Sequence, residues 1–370
     1  MLVVIGGGLA GTSAAITAAK AGIAVILLEA GTYPRHKVCG EFLSPEAAGY
    51  LDELGVLASI HAENPATLTR TRITSPDGGC WEGDLPGVGI GISRYKLDQL
   101  LADQARSVGV QVVTNTTVSG VTGSLSEGFT VETRTGSIRA RAVIAAYGKR
   151  AALDRTLNRA FMRQPQPYIG LKAHFRGDTP PNRVDLHAFP GGYCGISGIE
   201  GGLINVCMLA RVEVFKHCDS IPAFIAWIQT QNPHLRRFFA GVQQDTDWLS
   251  ISQIPFNNKS AVEGDILMAG DSAGMIAPLA GDGMSIALHS GKIAAEYVRR
   301  YLEGEIAADT LKASYATVWR KHFDGRIRLG RFLQASIFKP PILSFGLHLM
   351  NAAPALGQYF IRQTREVKRG

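Results

Sequence analysis

The first 29 residues constrain the fold more than any other stretch of this 370-residue chain. Residues 2–5 (LVVI) form a short apolar run that predicts a buried parallel strand, and the run ends at Gly6, Gly8 and Gly11, which satisfy the pattern G-x-G-x-x-G. Residues 9–21 then predict a helix and residues 23–28 a second strand, which ends at Glu29. Strand, turn, helix, strand and acid in this order are typical of a unit that binds a dinucleotide.

Each element of this unit has its own predicted task. Gly6 permits the tight turn, Gly8 lets a pyrophosphate approach the backbone, and Gly11 lets the helix pack on the strand. The amides at the start of the helix face the phosphates, while the carboxylate that follows the second strand accepts hydrogen bonds from a ribose without a 2′-phosphate. The predicted cofactor contacts in this unit are Gly6, Gly8, Leu9, Ala10, Gly11, Glu29 and Ala30.

Composition excludes several classes of protein. The net charge of +7 is concentrated in residues 320–370, where ten Lys or Arg face two Asp or Glu, whereas residues 1–319 carry 28 against 29. Because the body of the chain is nearly neutral, we do not expect nucleic acid as a partner. The five cysteines form no C-x-x-C pair, so neither a disulfide scaffold nor a metal site is expected. The first strand starts at residue 2, which leaves no room for a signal peptide and favours a cytoplasmic location.

The loop after Glu29 is expected to lie beside the bound dinucleotide, because it directly follows the ribose-binding strand. It contains Arg35, Lys37 and Cys39. These side chains either contact the cofactor or are two solvated charges and a small buried filler, and both interpretations stay open. Residues 68–84 then predict two strands joined by a turn, and residues 91–108 predict an amphipathic helix with Arg94 just before its first turn.

The middle of the chain predicts a second sheet. Residues 168–176, 184–189, 193–199 and 203–209 alternate or run apolar between glycine turns, and a helix is expected over 221–239. Residues 264–291 again show the strand, glycine turn and helix pattern of the first unit. Asp271 follows a buried strand there, at the position where ligands bind in open α/β sheets, and a helix beginning near Gly283 points its N-terminus at the same crevice.

Three separated stretches together resemble one family. The Gly6–Gly11 turn with Glu29, Arg94 with its helix, and Gly270-Asp271 followed by Pro278 and the Gly-Asp-Gly at 281–283 are similar to the FAD-dependent oxidoreductases of the para-hydroxybenzoate hydroxylase fold. Within it, residues 37–41 (KVCGE) and 189–193 (FPGGY) most resemble the geranylgeranyl reductase branch and its monooxygenase relatives.

The resemblance implies an α/β fold: a Rossmann-like FAD-binding domain with an interleaved antiparallel-sheet substrate domain of the para-hydroxybenzoate hydroxylase or glutathione reductase type, and a helical C-terminal tail. The expected boundaries are 1–66, 90–160 and 256–320 for the FAD-binding domain, 67–89 and 161–255 for the substrate domain, and 321–370 for the tail. The further cofactor contacts that it implies are Arg94, Gly270, Asp271, Pro278, Gly281, Gly283 and Met284. Arg35 and Cys39 are added to the predicted contacts because of their place in the loop after Glu29.

Two departures from the family bear on the reaction. Hydroxylases of this fold carry an Asp-Gly pair after the strand near Ile144, whereas this chain has Tyr147-Gly148, which weakens the case for a nicotinamide-driven aromatic hydroxylase. The tryptophan-rich motif of flavin-dependent halogenases is also missing, which argues against halogenation. The candidate catalytic residues are Cys39, Tyr193 and His187, and the candidate substrate contacts are Phe175, Phe189, Tyr193 and Met208, which favour a lipophilic polyketide or isoprenoid substrate.

Three functions stay open on these grounds. The first, which analogy favours, is a monooxygenase acting through a flavin hydroperoxide. The second is a reductase that saturates carbon–carbon double bonds, with Cys39 as proton donor, and the third is a flavoprotein that only relays electrons. Electrons would come from NAD(P)H or another donor, including a partner reductase or carrier protein. The charge-free segment 340–361 either packs on the flavin domain, lies at a membrane surface, or spans the membrane.

Overall fold

The computed structural model describes residues 1–149, 151–178 and 181–363. In this part of the chain the strands are β1 Leu2–Ile5, β2 Val25–Leu28, β3 Phe42–Leu43, β4 Ala66–Thr74, β5 Cys80–Gly91, β6 Gln111–Val113, β7 Val118–Ser124, β8 Gly128–Thr133, β9 Gly136–Ala140, β10 Ala142–Ala145, β11 Tyr168–Gly177, β12 Arg183–Phe189, β13 Gly192–Gly198, β14 Ile204–Arg211, β15 Val242–Gln244, β16 Leu249–Ser252, β17 Val262–Glu263 and β18 Ile266–Met268.

The α-helices of the same residues are α1 Leu9–Lys20, α2 Ala47–Leu54, α3 Leu57–Ala62, α4 Arg94–Ser107, α5 Ala152–Thr156, α6 Val212–Phe215, α7 Ile221–Gln231, α8 Pro233–Ala240, α9 Gly283–Leu302, α10 Ala308–Ile337, α11 Pro340–Ala352 and α12 Pro354–Gln363.

The first sheet is the dinucleotide-binding sheet that the sequence predicts. Its strand order is β17-β18-β10-β1-β2-β6, and β1 runs parallel to both β2 and β10. All four residues of β1 are buried, which explains why that strand reads as an unbroken apolar run. Helix α1 follows β1, and α9 packs along α1. Strands β1, β10 and β18 are parallel neighbours in the sheet, so their carboxyl ends open toward one crevice.

The second sheet carries the candidate substrate layer. Its order is β15-β11-β14-β13-β12-β4-β5-β3, with β16 also paired to β11. The strands come from residues 42–91 and 168–252, so β3 joins this sheet although it precedes the segment that we assigned to the substrate domain. The helix expected over 221–239 is divided into α7 and α8, because Pro233 has no N–H and Asn232 caps the second helix by accepting from the His234 amide at 2.9 Å.

The C-terminal residues that the structure describes form three helices. The 30-residue α10 packs on the core of the first sheet, where Leu311, Tyr315 and Phe323 are fully buried. The apolar segment 340–361 is divided at Pro354 into α11 and α12. Residues 364–370 of the predicted tail lie outside the described residues. Up to Gln363, no described helix is both long and apolar enough to cross a membrane.

Candidate functional site

A cavity of about 740 Å³ lies between the carboxyl ends of the first sheet and the face of the second. This volume is within the range of sites that hold a cofactor or a drug-sized ligand, roughly 300–1,000 Å³. One side of it is formed by the glycine turn after β1 and the other by β12, β13 and β14. The cavity is therefore the place where a cofactor and a substrate could meet.

The glycine turn forms the floor of this crevice. Gly6 has a φ of 100°, and a Cβ there would lie 2.5 Å from the Ala146 carbonyl oxygen. A Cβ on Gly11 would lie 1.8 Å from the Gly6 carbonyl oxygen, so neither position accepts a larger residue. At Gly8, by contrast, the nearest atoms to such a Cβ are two cationic ones, Lys37 Nζ at 3.4 Å and Arg94 Nη2 at 3.8 Å. The backbone at Gly8 thus faces two cations at the N-terminus of α1, which is a cradle for a pyrophosphate.

Glu29 closes the crevice at the end of β2. Its Oε2 accepts from the Gly7 amide at 2.7 Å, and its Oε1 accepts from the Gly31 amide and from Arg35, each at 2.8 Å. Burial alone would raise the pKa of this carboxyl, but the charges of Lys37 and Arg35 outweigh burial and hold the pKa below its ordinary value. Glu29 is therefore ionised at the position where the sequence predicts a ribose-binding acceptor.

Arg94 is held rigidly at the start of α4. Its Nε and Nη2 donate to the two carboxylate oxygens of Asp98 at 2.6 and 2.8 Å. Burial acts to lower the pKa of Arg94, yet Asp98 and the neighbouring Cys39 thiol raise it above its ordinary value. A bidentate carboxylate fixes the guanidinium plane, so Arg94 presents a permanent, oriented cation to both Gly8 and Cys39.

Cys39 lies where the two sheets meet. Its thiol is within hydrogen-bonding reach of Arg94 and accepts from the Glu41 amide at 3.5 Å, while Asn205 Nδ2 donates to its carbonyl oxygen at 3.2 Å. Burial raises the pKa of the neighbouring Cys207 thiol to about 12, so that thiol keeps its proton. Of these two cavity-lining cysteines, Cys39 is the one that contacts the guanidinium group.

A buried charge cluster lies directly behind Cys39, and the sequence analysis missed it. Glu41 Oε1 accepts from Lys172 Nζ at 2.8 Å and from the Arg94 amide at 2.7 Å, and Oε2 accepts from His174 Nε2 at 2.6 Å. Glu41 has no exposed surface and its φ is 53°, a left-handed conformation that costs a non-glycine residue roughly 1–2 kcal/mol. The signal available in the sequence was Lys172 and His174, two residues apart among the apolar residues of β11.

The opposite wall of the crevice is the segment between β18 and α9. Gly270 has a φ of 61°, and a Cβ there would lie 2.8 Å from Ala10, which keeps this turn against the glycine turn. Asp271 lines the cavity, and its backbone oxygen accepts from Lys259 Nζ at 2.7 Å. Pro278, Gly281, Gly283 and Met284 also line the cavity, and α9 begins there with its N-terminus toward the crevice.

Asp282, in the middle of the Gly-Asp-Gly turn, is held from the tail. Its carboxylate accepts from Arg326 of α10, which also donates to Glu46 at 3.3 Å, and from the Ser44 hydroxyl at 3.3 Å. Asp282 has no exposed surface. The first tail helix is thus part of the support of the crevice wall, a contact across 44 residues that no local pattern indicates.

The predicted cofactor residues therefore converge. Two of them, Gly11 and Arg35, lie just behind the lining, Gly11 as a packing contact and Arg35 as the partner of Glu29. The others line the cavity together: Gly6, Gly8, Leu9, Ala10, Glu29, Ala30, Cys39, Arg94, Gly270, Asp271, Pro278, Gly281, Gly283 and Met284. Their glycines, cations and ionised carboxylate fit the phosphate and ribose groups of an FAD.

The predicted substrate and catalytic residues divide between two faces of the second sheet. Tyr193 and Met208 line the cavity, as expected. Phe175 and Phe189 pack instead into a hydrophobic cluster under α7, and His187 contacts Thr74 at 2.8 Å on that same side. The reason is the two-residue period of a strand: Val184 and Leu186 of β12 face the cavity, so His187 and Phe189 face away. The structure thus corrects the expectation for Phe175, Phe189 and His187.

Comparison with known proteins identifies the cofactor. Residues 1–180 match the sequence model of the FAD binding domain. The chain is 28% identical to the menaquinone reductase of Mycobacterium tuberculosis, over 95% of this chain and 89% of that protein. It is 27% identical to digeranylgeranylglycerophospholipid reductase 2 of Methanopyrus kandleri, over 87% of this chain and 82% of that one.

Solved structures agree on the fold. A flavin-dependent brominase superposes with a TM-score of 0.81 at 21% identity, and the match covers 98% of this chain and 92% of the brominase. The matched domain and the lining of the crevice agree on FAD as the cofactor, and the superposed structure shows the fold. The chain is therefore an FAD-dependent oxidoreductase with an FAD binding domain over residues 1–180 and the para-hydroxybenzoate hydroxylase fold.

Proposed function

We propose that this enzyme saturates carbon–carbon double bonds of a lipophilic, isoprenoid substrate. The observation that carries the proposal is the Cys39 thiol, which lines the cavity beside Arg94, at the junction of the cofactor crevice and the substrate sheet. The two curated relatives described above are named as reductases, of menaquinone and of a geranylgeranyl lipid, which supports this choice over oxygenation.

The chemistry divides between cofactor and protein. An FAD held between the glycine turn and the segment at Asp271 would, when reduced, supply the hydride for one carbon of the double bond. Cys39 gives the proton from its thiol to the other carbon, and the resulting thiolate takes a proton back from water. Arg94 stabilises that thiolate, because its charge is permanent and its guanidinium is fixed by Asp98.

The shape and composition of the cavity support a lipophilic substrate. Its substrate-sheet side is mostly apolar and includes Val184, Leu186, Ile196, Met208, Leu209, Ile251 and Ile254, beside the hydroxyl groups of Thr71, Ser197 and Ser250. A flexible prenyl chain is held by such a surface through burial alone, at roughly 25 cal/mol per Å² of apolar area. Tyr193 adds a phenol to this surface, where it can accept or donate one hydrogen bond to a polar head.

Product analysis under two atmospheres tests the proposal. The purified holoprotein is photoreduced without oxygen and mixed with a prenylated quinone or a geranylgeranyl lipid, and the products are analysed by mass spectrometry. We expect the mass of two hydrogens to be added for each double bond, with reoxidation of the flavin. An oxygenated product that forms only in air supports the monooxygenase instead, and reoxidation by carrier proteins alone supports the electron relay.

Cys39→Ala separates the proton donor from the scaffold, with Cys218→Ala as its matched control. Cys218 is likewise half-buried, but it packs in the cluster under α7, away from the cavity. We expect Cys39→Ala to keep its flavin and lose about 10²–10⁴-fold in the saturation rate, the usual contribution of a positioned acid. Equal rates for the two variants would remove Cys39 from the mechanism.

The electron donor needs its own measurement. NADH or NADPH is added to the holoprotein without oxygen, and bleaching of the flavin absorbance is followed. Rapid bleaching supports a nicotinamide as the donor, whereas a flavin that stays oxidised favours a partner reductase or carrier protein.

A further inference from the structure

The outer surface of the C-terminal helices is unusually apolar. Ile342, Phe345 and Leu349 of α11 are 50, 71 and 44% exposed. Their spacing of three and four residues places them on one side of the helix, which we call the α11 outer face. The same tail exposes Phe332 of α10 and Tyr359 of α12, at 64 and 56%. Large exposed apolar side chains are therefore concentrated in one short part of the chain.

Helix α11 is packed firmly on the rest of the protein. On its inner side Leu347 is buried, and the side chain of Asn351 donates to the Cys80 carbonyl oxygen of β5 at 2.9 Å. In α12, Gly357 is packed so closely on Trp81 that a Cβ there would lie 2.2 Å from the indole ring. Both helices are thus fixed to the second sheet, and the apolar side chains that remain exposed belong to the folded state.

The chain segments before and after α11 carry mostly positive charge. Helix α11 contains no Asp, Glu, Lys or Arg, but exposed cations flank it: Lys339 directly before it, Arg362 near the end of α12 and Arg328 on α10. Over residues 320–363, Asp324 is the one acidic residue among seven Lys or Arg. An apolar face on a helix with exposed cations before and after it in the chain is complementary to a surface that is apolar inside and anionic outside.

The same helices also form part of the cavity's outer support. Ile337 and Phe338, at the end of α10, pack in one cluster with Tyr193, Ile254 and Met275. The last three residues line the cavity. The α11 outer face therefore begins a few residues along the chain from the layer that encloses the substrate side of the site.

We propose that the α11 outer face docks this enzyme on anionic membrane lipid. Ile342, Phe345 and Leu349 enter the boundary between headgroups and acyl chains, while Lys339, Arg328 and Arg362 contact anionic headgroups. This is contact with one leaflet and not a membrane span. It does not depend on which reaction the flavin performs.

Vesicle sedimentation with the full-length holoprotein tests the proposal. The probes are vesicles of phosphatidylcholine alone and vesicles that also contain phosphatidylglycerol, at low and high salt. We expect binding to the anionic vesicles, weakened by salt, and little binding to phosphatidylcholine. The triple variant Ile342→Ser, Phe345→Ser, Leu349→Ser should bind more than about tenfold more weakly. Lys339→Gln should weaken binding to anionic vesicles about fivefold.

Val88→Ser is the matched control, since Val88 is 56% exposed but belongs to β5. It should bind vesicles as the unchanged protein does. All variants should keep their flavin and melting temperature, because the substituted side chains are exposed. Absence of binding to anionic vesicles, or equal binding by the triple variant, overturns the proposal. So does a protein that is dimeric in solution and becomes monomeric in the triple variant, since a second copy would then cover this face. Each of these outcomes leaves the saturation test unaffected.

Discussion

Replacing Glu41 by Gln tests the buried charge cluster that joins the two sheets. The carboxylate accepts three hydrogen bonds, from Lys172, His174 and the Arg94 amide, at 2.8, 2.6 and 2.7 Å. Burial would raise the pKa of Glu41, but the His174 hydrogen bond and the Lys172 charge hold it below its ordinary value. The group is therefore ionised at neutral pH, and Gln removes its charge with little change of shape.

The expected loss of unfolding free energy follows from the charge that the substitution leaves without a partner. Lys172 is 1% exposed, so without Glu41 its ammonium group is a buried charge that has lost its counter-ion. Breaking a buried pair in this way costs about 3–5 kcal/mol. Because the pKa of Glu41 is lower in the folded state, the stabilisation is complete above the unfolded carboxyl value of 4.5 and is lost as the pH falls below it. The difference between the two proteins should therefore shrink in acid.

Urea unfolding at neutral and acidic pH measures this difference, with Glu82→Gln as the control. Glu82 also pairs with cations, namely Arg70, Arg72 and Arg183, but its side chain is 25% exposed and that of Arg70 is 50% exposed. Its loss should cost less than about 1 kcal/mol. The double variant Glu41→Gln, Lys172→Met should recover most of the lost stability. A cost for Glu41→Gln no larger than that for Glu82→Gln at neutral pH would refute the buried ion pair.

Three further predictions concern the crevice and its support. Burial and the charges of Arg94 and Arg35 lower the pKa of Lys37 to about 8, although Asp98 opposes this. The FAD affinity measured by fluorescence titration should therefore fall as the pH rises above 8. Lys37→Arg should remove this pH dependence, and a dependence that persists in the variant would show that Lys37 is not its cause. Burial lowers the pKa of His187 to about 3, so the folded state holds the neutral imidazole, and the stability that this gives above pH 6.5 is lost as the pH falls toward 3. Between pH 7 and pH 5, His187→Gln should therefore lose about 2 kcal/mol less unfolding free energy than the unchanged protein does. Arg326→Met should lower the unfolding free energy in urea by about 3–5 kcal/mol and reduce the flavin content, because it leaves Asp282 buried without its cationic partner. The control Arg320→Met, on the exposed side of α10, should change both quantities by little.

The cofactor crevice could be predicted because its signals are local. Gly6, Gly8 and Gly11 fall within six residues of each other, and Glu29 follows its strand directly, although the atoms that a Cβ on Gly6 would meet belong to Ala146 and Tyr147. Asp271 could be placed by the rule that strand ends in open α/β sheets meet at a common edge. In each case the sequence pattern lies in one short segment, even where the packing that requires it comes from elsewhere.

The substrate side could not be predicted as well, because it depends on which face of a strand is turned inward. In β12 the apolar Val184 and Leu186 line the cavity, whereas Arg183, Asp185 and His187 alternate with them on the other face, where Phe189 packs under α7. This alternation tells which residues share a face, but not which of the two faces is turned toward the cofactor. His187 and Phe189 were therefore predicted as pocket residues although they face away from the cavity, whereas Tyr193 and Met208, predicted on the same grounds, line it.

Glu41 links the cofactor domain to the substrate sheet. It lies two residues after Cys39, accepts from the first amide of α4 in the cofactor domain, and binds Lys172 and His174 of the substrate sheet. The position of the Cys39 thiol is therefore set by both domains at once, and not by the loop alone. It follows that a change at Lys172, which is not in the cavity lining, should alter flavin binding and the saturation rate together. Independent effects on the two would mean that the loop holds Cys39 without help from the substrate sheet.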